Sequence, residues 1–340
     1  MRETIINRDG GSKYKLLLPL LNRTAASDSL RIRYLEQWRF LLLPWLMLIA
    51  GVQARGGELV SIATFNVENY LLESSGGRRI KSPASRRMVW DSLFEMNADV
   101  VFLQELGSEQ ALLNIRTNLH ARGIDYPQAV FSETPASPIH LGMLSKLPVS
   151  TVRHHTTNVF VLYGRAFRSS RAFMEVDIQL PKRTSLKVFA AHLKSKRPVH
   201  YADQWDLRTR EAKMLRQLVE RCMEKHPEQL LAVLGDFNDD PSSETLKFLK
   251  GATGKWKLMD ARPVEGRPGF QTEARVSSGK RQSVWTHFFD DDDLFSRVDF
   301  ILMNRDLSRI YRPDMSYVLD HPKWGEASDH RPVLATFELP

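Results

Sequence analysis

Cysteine is nearly absent from this chain of 340 residues. The single thiol, Cys222, excludes an internal disulfide and any zinc site built from several cysteines. Cys222 falls inside a predicted helix over 202–225, where we expect it to act as a small buried hydrophobic residue. Any metal site must therefore use other ligands.

A hydrophobic run long enough to span a bilayer is also lacking. The apolar stretch over 40–51 has only about a dozen residues, against the ~20 that a membrane helix needs. Arginines precede it and Val52-Gln53-Ala54 follows, which is typical of a secretory signal peptide. A buried core helix fits less well because Pro44 interrupts the stretch. The sequence predicts that a leader over 1–54 is removed after Ala54.

This leader prediction has consequences for location. We expect a secreted or periplasmic protein with no transmembrane segment in the mature chain, which begins at Arg55. The polar residues ahead of the apolar stretch are numerous for an ordinary signal peptide. Either translation begins downstream of Met1, or the leader is unusual.

A strong excess of basic charge is missing too. The chain carries 48 basic and 40 acidic side chains, a net charge of +8. Residues 1–54 hold eight basic and four acidic side chains, so half of this excess lies in the leader. The rest is only mildly basic, which permits a polyanionic substrate without requiring one.

Internal repeats and domain linkers are absent from the remaining sequence, and residues 55–340 are predicted to form one catalytic domain. Helices are predicted over 84–97 and 202–225 from their apolar spacing. Many strands with interspersed helices are typical of an α/β sandwich of two packed sheets. The predicted strands are 59–65, 100–104, 149–155, 173–179, 186–192, 230–235, 283–288, 297–302 and 332–338.

Polar side chains stand where several of these apolar runs end. Asn66, Glu105 and His192 each follow a run, and two short segments, 235–238 and 328–332, add carboxylates, an amide and an imidazole. A polar group at the end of a buried strand is costly without a partner, so several such groups indicate one shared polar site. Oxygen ligands with two imidazoles suit a hard cation and phosphate chemistry.

These segments resemble the endonuclease/exonuclease/phosphatase superfamily, which includes deoxyribonuclease-type nucleases, abasic-site endonucleases, sphingomyelinases and inositol-phosphate phosphatases. The resemblance covers residues 58–340 and rests on six short motifs in the order typical of the family. It implies an α/β fold, a four-layer α/β sandwich of two packed mixed β-sheets flanked by helices. It also implies hydrolysis of a phosphate ester by a metal-activated water. The motifs are Phe65-Asn66-Val67, Leu103-Gln104-Glu105, Ala191-His192-Leu193, Gly235-Asp236-Phe237-Asn238, Arg297-Val298-Asp299-Phe300-Ile301 and Ser328-Asp329-His330.

The resemblance assigns the metal ligands to Asn66, Glu105 and Asp329. Glu105 is similar to the principal Mg²⁺ ligand of the family, Asn66 offers a neutral oxygen, and Asp329 supplies a second carboxylate. Mn²⁺ or Ca²⁺ could take the place of Mg²⁺. Simpler alternatives stay open at this point, since Glu105 could be a surface strand end and Asn66 a turn residue.

The catalytic roles follow from the same resemblance. Asp236 would orient or deprotonate the attacking water, and Asn238 would bind a phosphate oxygen. His330 would face the phosphate with Asp299 bonded to its far ring nitrogen, and His192 would stabilise the transition state or protonate the leaving oxygen. A salt bridge between Asp299 and Arg297 is the plain structural alternative.

Substrate contacts are less strongly indicated. Arg171 precedes a predicted strand and is a candidate phosphate contact, while Lys194 follows His192 and could steer a polyanion towards the site. A solvated loop explains Lys194, Lys196 and Arg197 equally well. The acidic run 290–293 is either a cation-binding loop or a solvated turn.

The sequence thus predicts a secreted, Mg²⁺-dependent phosphodiesterase, with nucleic acid as the first substrate and no stable protein partner inferred. The alternative is a lipid or small-molecule phosphodiesterase or phosphatase, similar to sphingomyelinases or inositol-phosphate phosphatases. A lipid enzyme needs an exposed apolar hairpin, for which Phe288-Phe289 and Leu294-Phe295 are the nearest candidates. A non-catalytic binding protein on the same fold is the third reading, disfavoured because every expected site residue is present.

Overall fold

A computed structural model describes residues 57–134, 137–251, 256–269 and 284–340. The predicted leader over 1–54 and its cleavage site lie outside the described residues. Among the described helices, none has the length and hydrophobicity needed to cross a membrane.

The described residues form 17 strands and six α-helices. Short 3₁₀ turns also occur at Pro181–Arg183 and Asp290–Asp292. In chain order the elements are β1 (Glu58–Tyr70), α1 (Pro83–Met96), β2 (Val100–Leu106), α2 (Glu109–His120), β3 (Gln128–Ser132), β4 (His140–Ser145), β5 (Val149–His155), β6 (Val159–Leu162), β7 (Arg165–Arg168), β8 (Phe173–Gln179), β9 (Ser185–His192), α3 (Gln204–Lys225), β10 (Leu230–Asp236), α4 (Glu244–Lys250), β11 (Met259–Asp260), β12 (Val264–Gly266), β13 (His287–Phe289), β14 (Leu294–Ser296), β15 (Asp299–Met303), α5 (Arg305–Arg309), β16 (Tyr311–Leu319), α6 (Trp324–Ala327) and β17 (Val333–Leu339).

Two mixed sheets organise these strands. One has seven strands in the order β12-β16-β17-β1-β2-β4-β3, and the other has six in the order β11-β15-β10-β9-β8-β5. In each sheet the central pair is parallel, β1 with β2 and β9 with β10, and antiparallel strands flank it. Hairpins β6–β7 and β13–β14 stand apart from both sheets.

The alternation of side chains along each strand builds the core between the sheets. In β1, Val60 and Ile62 point to the inner core, while Ala63 and Phe65 point to the opposite face. In β10, Ala232 and Leu234 point inward in the same way. Because the period is two, Asn66 and Asp236 continue the inward-facing sets of their strands. The ends of both sheets therefore place polar side chains in the space between them.

Helices cover the outer face of each sheet. Helices α1 and α2 pack on the seven-stranded sheet, and α3 and α4 pack on the six-stranded sheet through separate apolar clusters. Side chains of Ser82, Ser108 and Asp203 cap the starts of α1, α2 and α3. The predicted four-layer α/β sandwich is thereby confirmed.

Most strand predictions match within two residues, but several elements were not predicted. β16 was missed because its sequence, YRPDMSYVL, mixes charges and Pro313 into a strand. α2, β3 and β4 were also missed. The predicted strand over 283–288 is wrong in extent, since β13 begins only at His287, and β12 lies in the predicted loop over 262–282.

Candidate active site

Three predicted site residues lie side by side on the inner face of the six-stranded sheet. In the strand register His192 of β9 is paired with Asp236 of β10, and Asp236 is paired with Asp299 of β15. All three side chains are buried. The sheet itself therefore fixes the row His192–Asp236–Asp299.

Gly235 allows this row to form. Its φ is +133°, and a Cβ added there would lie 1.9 Å from the carbonyl oxygen of Ala191 in the neighbouring strand. Only glycine tolerates both the conformation and this close approach of two backbones. The chain can then present Asp236 to the inner space at the end of β10.

Asp236 is the centre of the hydrogen-bond network. Its Oδ2 accepts from Asn66 Nδ2 at 3.0 Å and Asn238 Nδ2 at 3.1 Å, and lies 3.2 Å from His192 Nε2. Its Oδ1 accepts from the backbone N–H of Asn238 at 2.9 Å. Burial alone would raise the pKa of Asp236, but the histidines His192 and His330 and these donors hold it well below its usual value. Asp236 is therefore a fixed, buried anion.

His330 forms a tight pair with Asp299. Its Nδ1 lies 2.8 Å from Asp299 Oδ2, and its Nε2 lies 3.8 Å from Asp236 Oδ2. Burial alone would lower the pKa of the His330 imidazole, yet the surrounding carboxylates Asp299, Asp236 and Asp329 hold it well above the usual value. Burial also raises the pKa of Asp299, a shift that His330 partly offsets. These carboxylates therefore favour the charged form of the His330 imidazole.

Ser328 ties the His330 loop to the end of β1 in the seven-stranded sheet. Its hydroxyl donates to the backbone oxygen of Asn66 at 2.8 Å and accepts from the backbone N–H of His330 at 3.0 Å. The loop before β17 and the end of β1 are therefore locked together. This connection brings Asn66 Nδ2 to 3.4 Å from His330 Nε2.

Glu105 occupies a bulge in β2. Its φ is +68°, and the pairing with β4 shifts between Gln104 and Leu106. A non-glycine residue in this conformation is strained, a feature that clusters at functional sites. Its carboxylate accepts from the backbone N–H of Asn69 at 2.9 Å and lies 4.0 Å from His192 Nε2. In a regular strand the Glu105 side chain would lie on the opposite face of the sheet. The bulge instead turns its carboxylate towards the site.

Asp329 and Glu68 enlarge the acidic part of the site. Burial would raise the pKa of Asp329, but His330 and His287 hold it below its usual value. The pKa of Glu68 is raised by burial and by the negative charges of Asp329 and Glu105, with Lys81 only partly opposing this. Glu68 therefore lies near enough to Asp329 and Glu105 for their negative charges to repel its carboxylate.

These residues fit a hard divalent cation. The set Asn66, Glu68, Glu105 and Asp329 offers carboxylate and amide oxygens only, the donors that Mg²⁺ and Ca²⁺ prefer. A cation there would relieve the mutual repulsion that raises the pKa of Glu68. Asn66 Oδ1 already accepts from the backbone N–H of Glu68 at 3.0 Å, so one of its lone pairs remains for an ion.

Two histidine-containing groups bring ligand atoms within 4.8 Å of one another: His287 with Asp329 and His330, and Asp236 with Asp299 and His330. In the second group the imidazole is already bonded to a carboxylate through Nδ1. An ion in either group would take an imidazole nitrogen as a ligand, whereas the set Asn66, Glu68, Glu105 and Asp329 offers oxygen alone. The donor chemistry of this oxygen set therefore suits a hard cation better.

Arg171 and Lys194 border the site, and the charged groups of both bind the loop after β9. The Arg171 guanidinium donates to the carbonyl oxygen of Leu193 at 3.0 Å and is buried. The Lys194 ammonium donates to the carbonyl oxygens of Ser195 at 3.0 Å and Arg197 at 2.9 Å. Both cations organise the loop after β9. Their contact with substrate stays a prediction.

Sequence reasoning missed Glu68, His287, Arg78 and Lys81. Glu68 follows Asn66 by two residues, a spacing that could have indicated a shared face. His287 lies 3.7 Å from Asp329 and its ring packs on that of His330, with centroids 4.5 Å apart. Nothing in the sequence around His287 signals this contact, which depends on the bridge between His287 and His330.

One protein family and several solved structures are similar to this chain. Residues 63–330 match the model of the Endonuclease/Exonuclease/phosphatase family. This match begins within β1 and ends at His330, so it contains the row His192–Asp236–Asp299 together with Glu68, Glu105 and Asp329. Among curated proteins, no significant match was found.

Solved structures with the same fold are distant in sequence. The human Nocturnin catalytic domain with bound sulfate is 14% identical with a TM-score of 0.59, covering 83% of this chain and 95% of that chain. Truncated Caenorhabditis elegans TDP2 is 16% identical with a TM-score of 0.54, covering 82% and 97%. Sphingomyelinase C from Streptomyces griseocarneus is 17% identical with a TM-score of 0.53, covering 82% and 99%. With its family match over most of its length, this chain belongs to the endonuclease/exonuclease/phosphatase family.

Proposed function

We propose that this protein is a divalent-metal-dependent phosphodiesterase, with Mg²⁺ as the first candidate cation and nucleic acid as the first candidate substrate. One observation carries the proposal. The imidazole of His330, bonded to Asp299, faces the buried Asp236 carboxylate at the rim where Glu68 lies close to Glu105 and Asp329. Positive donors thus stand opposite an oxygen-rich cation site, an arrangement suited to phosphoryl transfer.

The charge and the hydrogen-bond partners of each side chain support a role for it. The Nε2–H of the His330 imidazolium donates to an oxygen of the scissile phosphate, and His192 donates from the neighbouring strand to a second oxygen or to the leaving group. Asp236 accepts a hydrogen bond from the attacking water and orients it for in-line attack. Asn66 and Asn238 hold Asp236 through their amides. A cation bound by the nearby oxygens supplies further positive charge to the transition state.

The low pKa of Asp236 supports one of the two roles that the sequence suggested. A carboxylate whose pKa lies below its usual value is a weak base. Orientation of the water therefore contributes more than proton abstraction. Asp236 also balances the imidazolium, so the site keeps its charge pattern before substrate binds.

The test of substrate class is a side-by-side panel. Full-length protein is assayed with Mg²⁺, Mn²⁺ or Ca²⁺ on plasmid DNA, RNA, sphingomyelin vesicles and inositol phosphates. We expect cleavage of a nucleic acid to exceed the other activities. Turnover confined to the vesicles or the inositol phosphates would contradict the nucleic-acid assignment, and binding without turnover of any substrate would favour the non-catalytic reading.

A lipid phosphodiesterase is the second candidate because apolar side chains are exposed on two hairpins. On β13–β14, Leu294 and Phe295 are 53% and 51% exposed, and Phe288 at its base donates its backbone N–H to the Asp329 carbonyl at 2.9 Å. On β6–β7, Val159 and Val161 are 50% and 63% exposed. The first hairpin therefore stands beside the site. The vesicle arm of the panel decides this candidate.

Export is a separate part of the proposal. The leader pattern over 1–54 supports a secreted or periplasmic protein. N-terminal sequencing of protein recovered from outside the cytoplasm should begin at or near Arg55. Recovery of a mature form that retains residues 1–54 would contradict it.

A further inference from the structure

A cleft of about 500 Å³ opens directly beside the candidate cation site. The end of β1 forms one wall with Glu68 and Asn69, and the loop over 76–82 forms another. Arg197, from the loop after β9, closes the cleft from the second sheet. The cleft and the site share this wall, because the backbone N–H of Asn69 donates to Glu105.

The lining of this cleft is strongly basic. Arg78, Arg79, Lys81 and Arg197 line it, against the single carboxylate of Glu68. Outside the leader the chain has nearly balanced charge, so this concentration is local. A local cationic cleft attracts anions at short range even when net charge is small.

Two of the four cations are already committed to the site. Arg78 Nη1 lies 3.6 Å from Glu105 Oε2. Lys81 is buried, donates to the backbone oxygen of Glu68 at 2.8 Å and lies 3.7 Å from its carboxylate. These two residues bind Glu105 and Glu68, so their charges are already paired and they are not the groups available to bind a ligand.

Arg79 and Arg197 are the groups left for a ligand. Both are exposed, and neither guanidinium has an ion pair or hydrogen bond among the described residues. They come from different sheets and face the same cleft. A guanidinium offers a planar fork of donors that matches the oxygens of a phosphate group.

The start of α1 adds to the positive character of the cleft. Ser82 caps this 14-residue helix, Ser85 lies in its first turn, and both line the cleft. The first turn of α1 contains no acidic residue of its own. The positive end of the helix therefore supports the arginines.

We propose that this cleft binds a second phosphate group of the substrate, one that the enzyme does not cleave. The inference rests on the proposed function, because it places the scissile phosphate at His330 and the extra phosphate beyond Glu105 near Arg79 and Arg197. It names the substrate class as molecules with at least two phosphates. Both a nucleic-acid strand and a polyphosphorylated small molecule have this chemistry.

Short substrates that differ by one phosphate test the proposal. Full-length protein hydrolyses the dinucleotide TpT and its phosphorylated forms pTpT and TpTp, while bis(4-nitrophenyl) phosphate reports the reaction without a second phosphate. We expect kcat/KM for either pTpT or TpTp to exceed that for TpT by about 10-fold, chiefly through KM. The advantage should shrink as NaCl rises from 50 to 200 mM.

The variant Arg79→Ala/Arg197→Ala should lose this advantage and keep wild-type turnover of bis(4-nitrophenyl) phosphate within about twofold. The control is Arg221→Ala, which removes an exposed arginine on α3 that lines a different cleft. This control should keep the advantage. Inhibition of hydrolysis by inositol bisphosphate is compared with inhibition by inositol monophosphate. Stronger inhibition by the bisphosphate would show that the cleft also binds the second phosphate of a small molecule.

The outcomes distinguish a failure of the cleft assignment from a failure of the proposed phosphodiesterase function. Equal kcat/KM for TpT, pTpT and TpTp, or an advantage that survives the double substitution, would overturn the cleft assignment while leaving a phosphodiesterase. Absence of hydrolysis of any diester would defeat the proposed function. In that case, calorimetric binding of pTpT, TpTp and TpT without divalent cation still decides the cleft, since tighter binding of a phosphorylated form supports it and equal binding refutes it.

Discussion

Asp299→Asn probes the charge pair at the centre of the site. The substitution keeps the shape of the side chain and removes one negative charge 2.8 Å from His330 Nδ1. Among the groups that raise the pKa of His330, Asp299 contributes most. The variant imidazole should therefore lose its proton at a lower pH than the wild-type imidazole does.

The expected loss of activity follows from the two functions of this pair. Asp299 fixes the orientation of the imidazole and stabilises its charged form, and general acid–base groups contribute roughly 10²- to 10⁴-fold. We expect kcat to fall by about that range. Because burial raises the pKa of Asp299, a neutral amide removes a desolvation cost there, so the fold should survive.

The assay is a pH profile of kcat with bis(4-nitrophenyl) phosphate. If the imidazolium is the active form, wild-type activity falls as pH rises through the pKa of His330, and this alkaline limb moves to lower pH in Asp299→Asn. Asp306→Asn, which alters a surface pair with Arg309 on α5, is the matched control. An unshifted alkaline limb together with a loss under about fivefold would refute the assignment.

Two further substitutions test the fold around the site. Gly235→Ala should cost more than about 3 kcal/mol in unfolding free energy, because the new Cβ would clash with the Ala191 carbonyl oxygen at 1.9 Å; wild-type stability in urea would show that the strands do not approach so closely. Burial would raise the pKa of Glu175, but His155, Lys187 and Arg153 hold it at about 2, below the ordinary 4.5. Because the pKa is lower in the folded protein, the Glu175 carboxylate stabilises the fold above pH 4.5, and this stabilisation is lost as pH falls towards 2. Glu175→Gln should therefore lower the free energy of unfolding by about 3 kcal/mol at pH 7 and by much less at pH 3. An equal cost at both pH values would contradict this.

The row of site residues on the six-stranded sheet was predictable from the sequence. His192 and Asp236 end apolar runs in which every second side chain faces inward, and that alternation holds up to the last residue of β9 and β10. The predicted ends of these strands lay within one residue of the observed ends. In regular strands the sequence pattern therefore predicts which side chains face the site.

The acidic side of the site was harder to predict. Glu105 lies in a bulge, and Glu68 and Asn69 adopt positive φ values within β1. At such residues the period of two fails, so the sequence does not show which face a side chain takes. Glu105 could be named as a polar residue at the end of an apolar run, but the direction of its side chain could not be predicted. Glu68 was missed although it follows Asn66 closely.

Contacts between distant segments lay beyond sequence reasoning altogether. The loop over 76–82 reaches Glu105 through Arg78, and Arg197 reaches the same cleft from the other sheet. Such pairs depend on how the two sheets pack, which no local pattern encodes. The exposed hairpin β6–β7 was missed for a related reason, since its alternating burial appears only once one face has packed near α3.

Hydrolysis of bis(4-nitrophenyl) phosphate by full-length protein with Mg²⁺ tests the central proposal most directly. We predict turnover that EDTA abolishes and that added Mg²⁺, Mn²⁺ or Ca²⁺ restores. Glu105→Gln and His330→Ala should each lower kcat by at least about 10²-fold, whereas Asp306→Asn should not. Turnover that persists in EDTA and in both site variants would contradict the account.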